Sequence, residues 1–531
     1  MPITDPRTAP AYDLTRERRA RERDELAAGE VVDVLVIGGG ATGAGVALDA
    51  ASRGLSVALV EAHDLAFGTS RWSSKLVHGG LRYLAHGDVT VAWESAVERR
   101  YLMATVAPHL IRALPHVIPA FDDTPARERA LVRAGLGAAD ALRIAARTPT
   151  GLLGRSRTLS ADRVAELIPG IDRSGLAGGS LHWDGQLLDD ARLVISVART
   201  AARHGARIVT RARAVEVTSE GARARDLLDG GEFDIRARSV ILATGVWTAE
   251  LDPTIGLTTS RGSHALLRPM ALGYPRAALT VAVPGERGRY AFALPTVGGP
   301  VIAGITDIPQ SGPVPDVPVP DAAEISDILA WLSAALEQPL TPADVLGTYA
   351  GLRPLVLPDA PDGDPLRTDD ISRRHLVARR DDGVVTIAGG KLTTYRRMAQ
   401  DAVDMAARVA GLVAAPCRTH ELGVVGAQPY RTPAPTGVPL SLVRRYGAEA
   451  PRVAARALDM PALLEPLDAG ADAHGIPLRG VDVVHAVTAE GALSVDDILD
   501  RRTRVSLIPV DAARVRTRVA EIAQALDPAI H

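Results

Sequence analysis

A chain of 531 residues, 47% of them hydrophobic, can bury a sizeable core and suggests two to four domains, with disorder confined to ends and loops. Its 60 basic and 63 acidic residues leave a formal charge of -3, so no global charge bias points to nucleic acid. The single cysteine, Cys417, excludes an intramolecular disulfide framework and a multi-cysteine metal site, and suits a reducing cytoplasm. Residues 1–5 lack the apolar run of a signal peptide. The most apolar stretch, 34–48, is too short to span a bilayer, so the expectation is a soluble or membrane-surface protein.

Residues 1–29 form a polar extension in which 16–24 alternates charges and reads as a solvated helix. Residues 32–37 then form an apolar run of strand length. The stretch from Gly38 through Gly40 and Thr42 to Gly43 fits G-x-G-x-x-G, and an Ala-rich helix pattern follows. Gly38 permits the tight turn and Gly40 lets backbone approach a pyrophosphate. Gly43 allows close helix–strand packing, with the helix N-terminus facing the phosphates. A second strand over 55–60 ends in Glu61, placed to accept hydrogen bonds from ribose hydroxyls. Strand, glycines, helix, strand and acid in register define a dinucleotide site, without separating NAD from FAD.

A loop rich in Gly, Ser and Thr follows, containing Ser70 and Ser74, then Lys75, Leu76, His78, Gly79, Gly80, Leu81, Arg82 and Tyr83. Small hydroxyl residues beside a phosphate site supply donors without bulk. Together, residues 40–61 and 68–84 strongly resemble the FAD-dependent glycerol-3-phosphate dehydrogenases, members of the D-amino-acid-oxidase-like flavoproteins. The Ser-Ser-Lys-Leu-x-His-Gly-Gly-x-Arg-Tyr-Leu signature is far more specific than the glycine motif. The resemblance implies that Ser70, Ser74, His78 and the backbone of Gly79, Gly80 and Leu81 surround the flavin, and that Arg82 and Tyr83 lie near the substrate.

Downstream, six arginines between Arg129 and Arg157 face one acid, Asp140, and alternate with leucines and isoleucine. Such a basic amphipathic segment, 127–163, suits an anionic lipid surface. Asp190 and Arg192 read as a structural ion pair or cap. Val215, in a strand over 207–217, is placed against adenine. The strand over 240–242 ends in Ala243-Thr244-Gly245, and Gly245 is assigned to the cofactor by resemblance. Arg261-Gly262-Ser263-His264 matches a family segment that usually begins with lysine, and makes His264 a candidate substrate contact. Residues 290–294 and 301–306 alternate as strands of a sheet roofing the substrate. Gly351-Leu352-Arg353-Pro354-Leu355 matches the family's Gly-x-Arg-Pro-Leu. Arg353 is the best single phosphate binder, because a guanidinium offers a fixed fork of donors. Arg373 aligns as a second phosphate ligand, but Arg374 and His375 depart from the pattern and leave the register open by one residue. Gly389-Gly390-Lys391-Leu392-Thr393-Thr394 opens a helix. Gly390, Lys391, Leu392 and Thr393 are assigned to the isoalloxazine, and Lys391 also to the substrate's oxygens or to flavin N5 through water. A Pro-rich linker leads to a C-terminal helical region containing Asp496-Asp497-Ile498-Leu499-Asp500-Arg501-Arg502-Thr503-Arg504, a family match from which docking and stability, not chemistry, are expected.

The implied fold is α/β (α+β overall). A discontinuous Rossmann-like FAD-binding domain (30–105, 186–252 and 345–412) joins an antiparallel-sheet substrate domain or cap (106–185 and 253–344). A linker (413–440) leads to a C-terminal helical domain (441–531). The implied reaction is oxidation of sn-glycerol 3-phosphate to dihydroxyacetone phosphate, with hydride passing from C2 to FAD N5 and electrons to a quinone. Arg82, Tyr83, His264, Arg353, Arg373 and Lys391 are the expected catalytic set, with the base undecided. No metal site is expected. The location implied is cytoplasmic or on the inner face of the cell membrane, and a homodimer is compatible with the sequence. The rivals are an oxidase yielding hydrogen peroxide, an amine or amino-acid oxidase of the same superfamily, and a flavin-binding sensor without turnover.

Overall fold

The computed structural model describes residues 10–80, 88–286, 288–357, 374–468 and 474–531. The expected ligands Leu81, Arg82, Tyr83 and Arg373 lie outside the described residues. The first helix described is α1 (Arg16–Ala27), which leaves Glu17, Arg21 and Asp24 to solvent but buries Arg19 and Glu22. Arg19 donates to both carboxylate oxygens of Asp226 at 2.8 and 2.7 Å, and Glu22 accepts from the Ile208 N–H at 2.9 Å. Long-range partners satisfy the charges that the helix buries, and it packs against the first sheet.

That sheet is built on β1 (Val31–Ile37), which is followed by α2 (Ala41–Ser52) and β2 (Val57–Glu61). The apolar side chains of β1 and β2 are buried on both faces, as a parallel sheet covered by helices requires. The short β3 (Leu76–Val77) then leaves for the second sheet, and α3 (Val89–Tyr101) follows. Next come β4 (Ile111–Phe121), the basic helix α4 (Ala126–Ala145), β5 (Arg157–Leu159) and β6 (Leu176–Leu187). The chain returns through α5 (Asp190–Arg203) to β7 (Arg207–Thr210), β8 (Ala212–Thr218), β9 (Gly221–Asp226) and β10 (Glu232–Leu242). It crosses again for β11 (Leu257–Leu267), β12 (Ala278–Ala282), β13 (Tyr290–Pro295), β14 (Val301–Gly304), β15 (Ile308–Pro309) and β16 (Val345–Val356). It ends in the first sheet with β17 (His375–Arg379) and β18 (Val385–Gly389), then α6 (Tyr395–Ala410).

Among the described residues the first sheet runs β17-β18-β10-β1-β2-β7, with β8 and β9 folded back on β10. β1 pairs in parallel with β2 on one side and β10 on the other. Strand order therefore reverses at β1, and a ligand crevice is expected outside its carboxyl end. The second sheet runs β15-β11-β14-β13-β12-β4-β6-β3, with β16 on β11 and β5 on β6. β16 thus lies wholly in the second sheet, although the sequence reading put residue 345 onward in the dinucleotide unit. β14 is an interior strand, paired with both β11 and β13, and not an edge.

No helix or strand occurs between 411 and 439, and the C-terminal region is then mostly helical, closing with a helix over Pro509–Leu526. It is joined to the rest by buried ion pairs. Arg192 pairs with Glu490, and Arg199 pairs with Asp13 at 2.9 Å and with Glu449 at 2.6 Å. Asp190 pairs instead with Lys75 at 3.2 Å and accepts from the Ser73 hydroxyl at 2.8 Å. Asp190 and Arg192 are thus both structural, but with different partners, and buried Lys75 serves the same purpose.

Candidate functional site

The two sheets enclose a cavity of about 1890 Å³ at the carboxyl end of β1. Its floor is the turn from β1 into α2, with Gly38, Gly39, Gly40, Ala41 and Thr42 on the wall. Gly38 has φ +111°, which an L side chain rarely adopts, and a Cβ there would lie 2.6 Å from the Ala243 carbonyl oxygen. A Cβ on Gly43 would lie 1.9 Å from the Gly38 carbonyl oxygen, so this residue sets the approach of helix to strand and is not itself on the wall. Gly40 caps α2 with no side-chain hydrogen bond, leaving the helix N-terminus directed at the cavity. At the edge, Glu61 accepts from the N–H groups of Gly39 (2.6 Å) and His63 (2.7 Å). Burial nonetheless raises its pKa above the ordinary carboxylate value. Ser70 lines the wall with its Oγ accepting from the Ala41 N–H at 2.9 Å.

The cavity continues past Ser74, His78 and Gly245 to Gly390, Lys391, Leu392 and Thr393 at the mouth of α6. Lys391 Nζ donates to the Ser95 hydroxyl at 2.7 Å. Arg353, on β16, enters the same space. Its guanidinium donates to the Thr306 carbonyl at 3.2 Å and the Ser260 hydroxyl at 3.4 Å, and lies 3.5 Å from Asp307. Gly262 makes room for it, since a Cβ there would meet Arg353 Nη2 at 2.3 Å. The fork is therefore oriented by its neighbours.

Four sequence assignments are repositioned. His264 is buried and is not on the wall; its Nε2 is 2.8 Å from the Ser74 hydroxyl, and its ring stacks on Tyr349 with centroids 4.5 Å apart. Burial first, then Lys75 and Arg353, hold its pKa well below the ordinary histidine value, so the ring is neutral. Val215 is part-exposed and off the wall, whereas Ala212, Arg213 and Ala214 line it. A bulge between Ala214 and Glu216 turns Val215 out of register. Gly79 lies behind the wall, its N–H donating to Asp184 at 2.9 Å, and Gly80 beside it adopts φ +77°. Arg374, the alternative to Arg373, is exposed and pairs with Asp88 at 3.0 Å.

Sequence reading missed a polar cluster opposite the flavin loop. His116 on β4 faces His182 on β6 as a cross-strand pair with ring centroids 4.9 Å apart, and both line the cavity with Asp184. Burial lowers the pKa of His116 to about 3 and also lowers that of His182, so both rings are neutral. Burial pushes the pKa of Asp184 up, but Arg99, which pairs with it, and the neighbouring histidines together bring it below the ordinary carboxylate value. The available signal was the alternation of His182 and Asp184 on one face of a strand.

A model described as FAD dependent oxidoreductase matches residues 33–396, and one described as the C-terminal domain of alpha-glycerophosphate oxidase matches 417–527. The chain is 51% identical over 506 residues to Glycerol-3-phosphate dehydrogenase 1 of Mycobacterium tuberculosis (strain H37Rv), covering 94% of this chain and 96% of that protein. It is 38% identical to the Mycobacterium leprae glycerol-3-phosphate dehydrogenase, covering 94% and 85%. The crystal structure of the Bacillus halodurans glycerol-3-phosphate dehydrogenase complexed with FAD matches with a TM-score of 0.71 at 25% identity, covering 97% of this chain and 95% of that one. The protein is thus a flavoenzyme of the FAD-dependent oxidoreductase class. More narrowly, it belongs to the FAD-dependent glycerol-3-phosphate dehydrogenase family.

The residues fit FAD. Gly38, Gly39 and Gly40 put no side chain on the wall at the α2 N-terminus, where a pyrophosphate would need room, and Glu61, Lys391, Leu392 and Thr393 line the same cavity. Replacing Gly43 with Ala should force the β1–α2 turn open. The purified variant is expected to carry little flavin by absorbance while keeping the far-UV circular dichroism of the parent. Normal flavin content would contradict the packing role given to Gly43.

Proposed function

We propose that the protein oxidises sn-glycerol 3-phosphate to dihydroxyacetone phosphate and delivers the electrons to a quinone. The observation that carries this reading is the oriented Arg353 guanidinium, which shares one cavity with Lys391 and the dinucleotide turn. When bound, FAD would supply the two-electron acceptor for the hydride that leaves C2. Arg353 holds the phosphate through paired charge-assisted hydrogen bonds, with Arg373 as its second ligand by family resemblance. Lys391, anchored by Ser95, faces the reacting oxygens and favours their alkoxide-like form. Arg82 and Tyr83 keep their assignment beside the substrate on the same resemblance.

A base must come within hydrogen-bond reach of the hydroxyl it deprotonates. His78 is on the wall and His264 is not. We therefore assign proton acceptance to His78, and to His264 the orientation of Ser74. Away from the turn the cavity is walled by Ile118, Leu131, Val132, Leu136 and Phe292 beside the neutral His116 and His182. This mixed wall, with apolar side chains and two uncharged rings beside the charged Asp184, can accept a quinone ring. On α4, Leu131 and Ile144 are exposed among arginines, which supports contact with an anionic membrane surface. No helix among the described residues is long and apolar enough to cross a membrane.

Arg353→Ala should lower kcat/KM for glycerol 3-phosphate by about a hundredfold or more, roughly 3 kcal/mol, on the scale of removing one partner from a buried charge pair. An unchanged kcat/KM for the phosphate ester would reject the assignment. The second prediction concerns pH. A histidine held neutral well below its ordinary pKa does not titrate near 6.5, so His264→Asn should leave the acid limb of the kcat/KM profile in place. His78→Asn should remove most of the activity. Loss of the limb in His264→Asn would return the base to His264. The acceptor is tested by mixing the substrate-reduced enzyme with quinone or with oxygen. Faster reoxidation by oxygen, with stoichiometric peroxide, would make the protein an oxidase.

A further inference from the structure

The adenosine end of the cavity is closed by two lips. One is the loop after β2, whose Ala62, His63, Gly68 and Thr69 face inward. The other is the turn from β7 into β8, contributing Ala212, Arg213 and Ala214. The Arg211 N–H donates to the His63 carbonyl at 2.9 Å and so ties one lip to the other. The first lip has little regular structure beyond a single 3-10 turn, Thr69–Arg71, and the second is the opening of β8.

Both lips are gripped from outside by residues 497–504 of the C-terminal region. Arg502 closes on both oxygens of Asp64 at 2.7 and 2.8 Å, and Arg501 Nε adds a third bond to that carboxylate at 2.6 Å. Asp64 is buried, and the two arginines hold its pKa well below the carboxylate range in spite of that burial. Arg71 spans the loop from behind, donating to the Phe67 carbonyl at 2.8 Å and to Asp500 at 2.9 Å. Arg504 donates to the Arg71 carbonyl, and its guanidinium lies 5.4 Å from the centre of the Trp72 ring. At the second lip, Asp497 accepts from Arg211 at 2.7 Å. The same Asp497 pairs with Arg501 at 2.5 Å, which makes the grips one continuous network.

We propose that residues 497–504 are positioning residues for the cofactor, holding both lips in the FAD-binding conformation so that the C-terminal region sets FAD affinity. A loop held by several buried ion pairs is ordered before FAD arrives. Without them, ordering it would be drawn from the binding free energy. The inference rests on the FAD site alone and is independent of the substrate and acceptor proposed above. It differs from simple domain docking in a measurable way, because other buried pairs lie in the C-terminal region without touching the lips. Arg445, 2.7 Å from Asp482, is one.

The test uses full-length protein stripped of FAD, with FAD titrated back by fluorescence quenching and folding followed by far-UV circular dichroism. In Arg502→Gln and Arg211→Gln the FAD Kd should rise about tenfold or more, the scale seen when an outer-shell partner of a binding group is removed. Arg502→Lys should recover part of the loss. Arg445→Gln should lower the unfolding temperature while leaving the Kd within about twofold of the parent, as distant independent sites do. Arg211 is only part-buried, so its variant decides the matter even where Arg502→Gln does not fold. A Kd within about twofold of the parent in Arg211→Gln, or an equal rise in Arg445→Gln, would overturn the proposal.

Discussion

The close approach of Gly43 to the Gly38 carbonyl is the constraint on which the rest of this structure depends. It seats the N-terminus of α2 at the end of β1, facing the cavity, with the small Ser70 hydroxyl accepting from the Ala41 N–H. Because β1 pairs with β2 on one side and β10 on the other, the opening falls where strand order reverses. The second sheet then covers that opening. β11 and β16, paired along their length, bring Arg353 into the cavity, and β4 with β6 bring His116, His182 and Asp184. The site is therefore a meeting of two sheets, and neither contains it alone.

Buried charge holds the parts in register. Arg192 with Glu490, Arg199 with Asp13 and Glu449, and Asp64 with Arg501 and Arg502 all run between segments far apart in sequence. Desolvation offsets most of the attraction in such pairs, so they add little net stability over a well-packed apolar contact. Removing one partner strands the other and costs about 3–5 kcal/mol. Networks of this kind select one docking geometry over its neighbours, as a shared cofactor site requires. Arg199 and Glu449 show both sides of that coupling: burial opposes each charge, and each holds the other ionised.

What could be read from sequence divides along a physical line. The glycine turn, Glu61, Ser70, Arg353 and Lys391 sit in continuous motifs whose backbone and side chain act together, and they line one cavity. His116, His182 and Asp184 were illegible because cross-strand register, not spacing along the chain, brings them together. His264 was legible as a motif but not in depth; Ser74 stands between it and the cavity. Val215 was displaced by a one-residue bulge that alternation alone does not reveal. The helix α1 was legible as charged and partly solvated, but its buried Arg19 and Glu22 were not, because their partners, Asp226 and the Ile208 N–H, belong to the distant first sheet. Residues 497–504 were recognised as a docking motif, but the surface they grip appears only in three dimensions.

The central claim is that one cavity joins an FAD turn to a phosphate-selecting arginine. Its most direct test is the flavin absorbance of the purified holoenzyme under argon. Addition of sn-glycerol 3-phosphate should bleach the oxidised flavin band within one turnover, while glycerol and amino acids at the same concentration leave it unchanged. Bleaching by an amino acid, or equal bleaching by glycerol and by its phosphate, would contradict the account.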